Sequence, residues 1–161
     1  MTRKDYNDCV DRLADGLYRF ALRYTGDGES SRDAVQDSFV ALWEHRSEVE
    51  AAGAKAYLMR VLYRKLVDLH RRQSRYHRGA QPDRPVGGHD TFELGDAIQQ
   101  ALDTLPDVQR SLVLLRDLEG YTYKELATTL GISEQQVMVY LYRARTAMKK
   151  ILSNDLNKHP L

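Results

Sequence analysis

A single cysteine, Cys9, denies this chain of 161 residues any intramolecular disulfide, which fits a reducing compartment. No apolar run approaches the roughly 20 residues of a membrane span. The start, Met-Thr-Arg-Lys, is charged from its third residue and lacks the apolar segment of a signal peptide. A soluble, cytoplasmic protein is expected. Strand-like alternation is missing throughout, as are internal repeats. The histidines 45, 70, 77, 89 and 159 do not fall at metal-ligand spacings. There is no Gly-rich phosphate loop and no Gly-x-Ser-x-Gly elbow. Nothing marks a carboxylate pair as an acid and a base. These absences exclude a secreted disulfide scaffold and speak against an enzyme; neither a cofactor nor a catalytic or metal site is expected.

What is present is helical periodicity with an uneven distribution of charge. The net charge is only +1. By segment, the balance of Lys and Arg over Asp and Glu is −4 for residues 1–53, +7 for 54–85 and −2 for 86–161. A basic segment between two acidic ones is a local electrostatic footprint. Tyr6, Val10, Leu13, Leu17, Phe20 and Tyr24 recur at three- and four-residue steps and predict a first helix. The stretch 25–31 breaks it, with Ser30 as the expected start of the next helix. Val35, Phe39, Leu42 and Trp43 give that helix its buried face. A loop over 47–54 leads to a third helix, about 55–75, with Leu58, Val61, Leu62, Leu66 and Leu69 inward.

Residues 76–95 carry two prolines and four glycines and few large apolar side chains, the composition of a flexible linker. Helices at roughly 96–103, 106–118, 122–130 and 133–152 follow, with Pro106 opening one and Gly120 ending it. The expected fold class is all-α, in two small helical domains, 1–75 and 96–161, joined by the linker 76–95.

The last two helices form a helix-turn-helix. Thr122 with Glu125, and Ser133 with Gln136, have capping-box spacing. Tyr121 with Leu126, and Ile132 with Val137, can staple the entries. Gly131 sits where a left-handed turn is needed. Val137, Leu141, Ala144, Met148 and Ile151 form the inward stripe of the final helix. Glu134, Gln135, Gln136, Met138, Val139, Tyr140, Tyr142, Arg143, Arg145 and Lys149 face outward. Gln135 and Gln136 are able to pair with adenine edges, and Arg143, Arg145 and Lys149 with phosphates. An ordinary helical hairpin with a solvated face has the same pattern.

The third helix interleaves Lys55, Arg60, Arg64, Lys65, Arg71, Arg72, Arg75 and Arg78 with Tyr57, Tyr63, His70 and Tyr76. Cations track a phosphate backbone and aromatic faces stack on unpaired bases, each stack worth roughly 1–3 kcal/mol. That mixture suits an opened strand better than intact duplex; a merely solvated basic face is the bland alternative. On the second helix, Asp33, Gln36, Asp37 and Glu44 beside Phe39 and Trp43 suggest a protein partner, or equally core aromatics flanked by hydrated carboxylates.

Three segments, in order, resemble the extracytoplasmic-function sigma factors of bacterial RNA polymerase, a group of the sigma-70 superfamily. DAVQDSFVALWEHR (33–46) resembles the family's core-polymerase-binding helix. KAYLMRVLYRKLVDLHRR (55–72) resembles the helix that reads and melts the minus-ten element. LPDVQRSLVLLRDLEGYTYKELATTLGISEQQVMVYLYRARTAMKKIL (105–152) resembles the minus-thirty-five domain. The resemblance implies that Asp33, Gln36 and Asp37, supported by Phe39 and Trp43, meet the core polymerase. It implies that the 47–54 loop and the start of the next helix hold a flipped base. Tyr57, Arg60, Tyr63, Arg64, Lys65, Arg71, Arg72 and Arg75 then line the minus-ten DNA, with Asp68 orienting the cations around it. Ser133, Glu134, Gln135, Gln136, Met138, Tyr140, Arg143, Arg145 and Lys149 meet the minus-thirty-five DNA, and the linker threads into polymerase channels. Implied partners are core RNA polymerase, promoter DNA as duplex and melted strand, and an anti-sigma factor; no membrane insertion is implied. The chain departs from the family at Arg64, often Asn, and at Met138, Val139 and Tyr140, often basic or small polar. A shallower salt dependence of duplex binding is expected from the latter. A free-standing helix-turn-helix regulator is the alternative function, and a protein-binding adaptor a third.

Overall fold

The structure, a computed structural model, describes residues 1–76 and 94–158. It contains seven α-helices and no strand among the described residues. Helix α1 spans Arg3–Thr25, α2 Gly28–Glu44 and α3 Ala54–Tyr76, with a 3-10 turn at Ala51–Gly53 leading into α3. Helix α4 spans Leu94–Asp103, α5 Asp107–Val113, α6 Tyr123–Leu130 and α7 Glu134–Lys158. Most of the expected linker, and Arg78, His77 and His89 with it, lies outside the described residues.

Local chemistry explains the ends of the front helices. Thr2 and Asp5 form a reciprocal capping box at the start of α1, and Gly26, at φ +69°, ends it with its N–H on the Leu22 carbonyl. The start of α2 differs from the expectation. Asp27, not Ser30, is the cap: its carboxylate accepts from the Glu29 and Ser30 backbone N–H groups and from the Ser30 hydroxyl. The ionised carboxylate is the stronger acceptor at a positive helix end, and those bonds hold its pKa below the ordinary range. Helices α1, α2 and α3 pack pairwise around Phe20, Leu42, Leu58, Leu62 and Leu66, all buried. Burial of each such side chain stabilises by about 1.5–3 kcal/mol.

The expected inward face of α3 is only partly the buried one: Leu58, Leu62 and Leu66 are buried, Val61 and Leu69 half-buried. Met59 and Val67 are buried as well, because α3 packs against α6 in addition to α1 and α2. Trp43, assigned to the buried face of α2, is 37% exposed. Its ring lies 4.9 Å from Tyr6 and 4.0 Å from the Arg46 guanidinium carbon.

In the second unit Pro106 stands just before α5 as its cap residue. The helix widens into a π turn over Leu114–Leu118, and Gly120 at φ +71° lets the Tyr121 N–H reach the Leu115 carbonyl. Both capping boxes of the helix-turn-helix are formed, Thr122 with Glu125 and Ser133 with Gln136, and Gly131 turns between them at φ +69°. Arg110 is 2% exposed and ties the α4–α5 corner together. Its guanidinium donates to the carbonyls of Leu102, Asp103 and Leu105 at 3.0–3.1 Å.

The two units lie against each other. The Tyr24 hydroxyl on α1 donates to Asp107 on α5 at 2.8 Å. Arg19 forks onto Glu119, both bonds at 3.0 Å. Lys55 reaches Glu125 at 2.6 Å and lies 4.2 Å from the Tyr121 ring centre. Buried apolar residues of both units form one continuous cluster.

Candidate nucleic-acid interface

Helix α3 turns its cations in two directions. Arg64, Arg71, Arg72 and Arg75 are exposed. Among the described residues Arg71 has only a long approach to Asp107, 3.8 Å. Lys65 sits 3.7 Å from Asp37 across the cleft between α2 and α3. That cleft, about 340 Å³, is lined by Ser30, Asp33, Asp37, Lys65, Asp68 and Arg72. Asp68 thus stands among the cations it was expected to orient, but within 4.0 Å it forms no ion pair with a described residue. Asp33, Gln36 and Asp37 are exposed along α2, and Phe39 is buried beneath them.

The aromatic members of the α3 face are less free than the spacing suggests. Tyr57 is half-buried, its hydroxyl 3.5 Å from the Ala41 carbonyl and its ring 6.1 Å from His45. Tyr63 is half-buried against the core, and that burial pushes its phenol pKa up. Each offers part of a ring rather than a whole face.

Lys55 and Arg60, at the start of α3, are occupied by the second unit. Arg60 donates to the carbonyls of Thr128, at 2.7 Å, and Thr129, at 3.4 Å, in the last turn of α6. A guanidinium at the negative end of a helix is doubly favoured, by direct bonds and by the dipole. Lys55 pairs with Glu125, and this bond, helped by the Thr122 backbone, holds the Glu125 carboxyl below the ordinary range.

A four-residue node lies further along α3, and spacing gave no hint of it. His70 Nε2 faces Arg110 Nη1 at 3.2 Å, and its Nδ1 lies 3.5 Å from Asp107. Asp107 accepts from Tyr24, whose ring lies 5.0 Å from the Arg110 guanidinium carbon. Burial first, then the Arg110 charge, lowers the His70 pKa. Burial first, then the bond to Asp107, drives the Tyr24 phenol pKa far up. The available signal was Arg110 itself, a lone cation in the apolar run Val-Gln-Arg-Ser-Leu-Val-Leu-Leu.

On α7 the structure separates the predicted residues. Glu134, Gln135, Met138, Arg143 and Lys149 are exposed. Ser133 and Gln136 are bound to each other as the cap. Tyr140, expected outward, is half-buried and packs against the core, because its position lies beside the inward stripe of Val137, Leu141 and Ala144. Arg145 is paired with Asp117 at 2.7 Å. Val139 and Tyr142 remain exposed, Tyr142 at 72%.

A three-helix bundle with an acidic face and a basic helix, followed by a doubly capped helix-turn-helix, defines a two-part helical DNA-binding protein. The profile described as Sigma-70 region 2 matches residues 9–76, and that described as Sigma-70, region 4 matches residues 95–148. The chain belongs to the sigma-70 family, among its extracytoplasmic-function sigma factors. It is 27% identical over 158 residues to the ECF RNA polymerase sigma factor SigE of Mycolicibacterium smegmatis, covering 92% of this chain but only 62% of that protein. It is 28% identical over 156 residues to the ECF RNA polymerase sigma factor SigL of Mycobacterium tuberculosis, covering 88% of this chain and 85% of that one. Among solved structures it shares its fold with the sigma factor RpoE of Bartonella quintana, crystallised with the anti-sigma factor NepR. The TM-score is 0.71 at 21% identity, over 93% of this chain and 98% of that one. It also matches CnrH, solved with the cytosolic domain of CnrY, at a TM-score of 0.75 and 24% identity, over 96% and 91%. Among the described residues no helix is long and apolar enough to cross a membrane.

Proposed function

We propose that this chain is an alternative sigma factor. It binds core RNA polymerase in the cytoplasm, directs it to promoters through the minus-ten and minus-thirty-five elements, and aids strand opening, while the polymerase supplies the chemistry. The observation that carries this reading is α3. Its exposed arginines, 64, 71, 72 and 75, run beside half-buried tyrosines on one helix, an arrangement suited to an unpaired strand. Asp33, Gln36 and Asp37 on α2 are the polymerase-binding face. Glu134, Gln135, Met138, Arg143 and Lys149 on α7 face duplex DNA. The domain limits are 1–75 and 96–161. A second protein covering both units, as an anti-sigma factor does, is the expected restraint.

Geometry adds a requirement. Elements about 25 base pairs apart are separated by roughly 85 Å of duplex at 3.4 Å per pair. A compact body of this length has a radius of gyration near 15 Å and a diameter of about 40 Å. The packed form therefore cannot hold both elements at once. The two units must part before a promoter is read, freeing Lys55 and Arg60 as they do. The test is run-off transcription with purified core polymerase on genomic fragments. Discrete transcripts that depend on the chain support the proposal. A dimer that footprints duplex tightly without polymerase would support a free-standing regulator instead.

A further inference from the structure

The first nine residues of α7, Glu134 to Tyr142, contain no Lys or Arg; the first cation of the helix is Arg143. A recognition helix meets base edges with its N-terminal residues. In the major groove guanine is read chiefly by Arg or Lys, adenine by Asn or Gln, and the thymine methyl by apolar contact. The chemistry at the tip of α7 therefore lacks the usual guanine reader.

The hydrogen bonds narrow the choice further. Gln136 gives its amide oxygen to the Ser133 N–H at 3.0 Å. Pairing with both adenine edge atoms needs the amide oxygen to accept from N6 while Nε2 donates to N7; the cap bond fixes the orientation of the Gln136 amide, whereas that of Gln135 is left adjustable. The Gln135 side chain is exposed and bonds to no described residue. Met138, 56% exposed, lies three residues on, and Tyr142 four further, along the same face. Val139, 41% exposed, lies beside them. This stripe is opposite the buried Val137, Leu141 and Ala144. Arg143 and Lys149 border it and remain exposed, placed for phosphates. An amide at the tip with cations along the border complements a duplex better than an apolar protein surface.

We propose that α7 reads A·T pairs. Gln135 pairs with one adenine edge, and Met138 with Val139 packs on neighbouring thymine methyls, so the base pairs under the first two turns of α7 are A·T. This rests on the reading of α7 as the minus-thirty-five helix.

The experiment uses holoenzyme reconstituted from the full chain and core RNA polymerase. A promoter found by run-off transcription is randomised across its minus-thirty-five region, with the minus-ten region held fixed, and bound sequences are selected. Enrichment of adjacent A·T pairs is expected, with Gln135→Ala losing the preference at one adenine only. Replacing the selected thymines by deoxyuridine removes only their methyl groups. Binding should fall roughly three- to five-fold per contacted methyl, the cost of exposing one buried carbon. Met138→Ala holoenzyme should show less of that fall. Enrichment of G·C pairs, or indifference of the unsubstituted protein to deoxyuridine, overturns the A·T proposal and leaves the minus-thirty-five reading intact. Absence of enrichment anywhere in the region overturns both, and returns the apolar stripe to a protein partner.

Discussion

Tyr24→Phe isolates the docking of the two units. The ring stays, so no cavity opens; only the hydroxyl that donates to Asp107 at 2.8 Å is lost. A hydrogen bond to a charged group contributes about 1.5–3 kcal/mol. Asp107 keeps His70 at 3.5 Å and Arg71 at 3.8 Å, and its side chain is 21% exposed. The lower end, about 1.5 kcal/mol, therefore applies, since water and those neighbours compensate in part. At 1.36 kcal/mol per tenfold, the ratio of parted to packed molecules rises roughly tenfold. Core polymerase that holds the two units apart, as the spacing of the promoter elements requires, selects parted molecules, so apparent affinity scales with their fraction and improves by up to about tenfold. The assays are fluorescence energy transfer between dyes on α1 and α7, and titration with core polymerase. Tyr24→Phe should lengthen the mean distance and tighten binding. An unchanged distance with unchanged or weaker binding would refute both the role of this bond and the need for the units to part.

Arg110→Met should destabilise the second unit by about 1–3 kcal/mol, because it leaves the buried carbonyls of Leu102, Asp103 and Leu105 without their donor; thermal melting read by circular dichroism checks this, and a loss below about 0.5 kcal/mol would contradict it. Packing should also weaken on acidification. The His70 pKa is depressed in the packed form, so His70 contributes fully above the ordinary histidine value and that contribution is lost as pH falls through the depressed one. Arg110 opposes protonation while Asp107 and Asp103 favour it. The interdomain distance measured across pH 8 to 5 or so should grow toward acid, and His70→Gln should flatten the profile. Asp37→Lys should abolish binding to core polymerase with an unchanged helical spectrum, since Asp37 is exposed and, among the described residues, has only the 3.7 Å approach of Lys65.

Short-range features were legible in the sequence. The boxes Thr122–Glu125 and Ser133–Gln136 each span three residues, and their chemistry is complete within that span. Gly131 marked its turn for the same reason. The start of α2 was misread because Asp27, Ser30 and Ser31 all compete as caps within one turn, and only the backbone shows which carboxylate or hydroxyl meets the free N–H groups. The docking of the units was not legible. Lys55 with Glu125 and Arg19 with Glu119 join residues 70 and 100 positions apart, and each partner alone reads as an ordinary surface charge. Arg60 was recognised as a cation of α3, but its partners are backbone carbonyls, which no sequence displays. Tyr140 was misplaced because helical phase puts it at the margin of the inward stripe, where packing rather than period decides.

The central claim, that α3 holds an unpaired strand, is tested most directly by permanganate footprinting of holoenzyme on a promoter found by run-off transcription. Permanganate oxidises unpaired thymines. Holoenzyme should make minus-ten thymines reactive, and the double variant Arg71→Glu, Arg72→Glu should abolish that reactivity while still binding core polymerase. Undiminished strand opening by the double variant would contradict the claim.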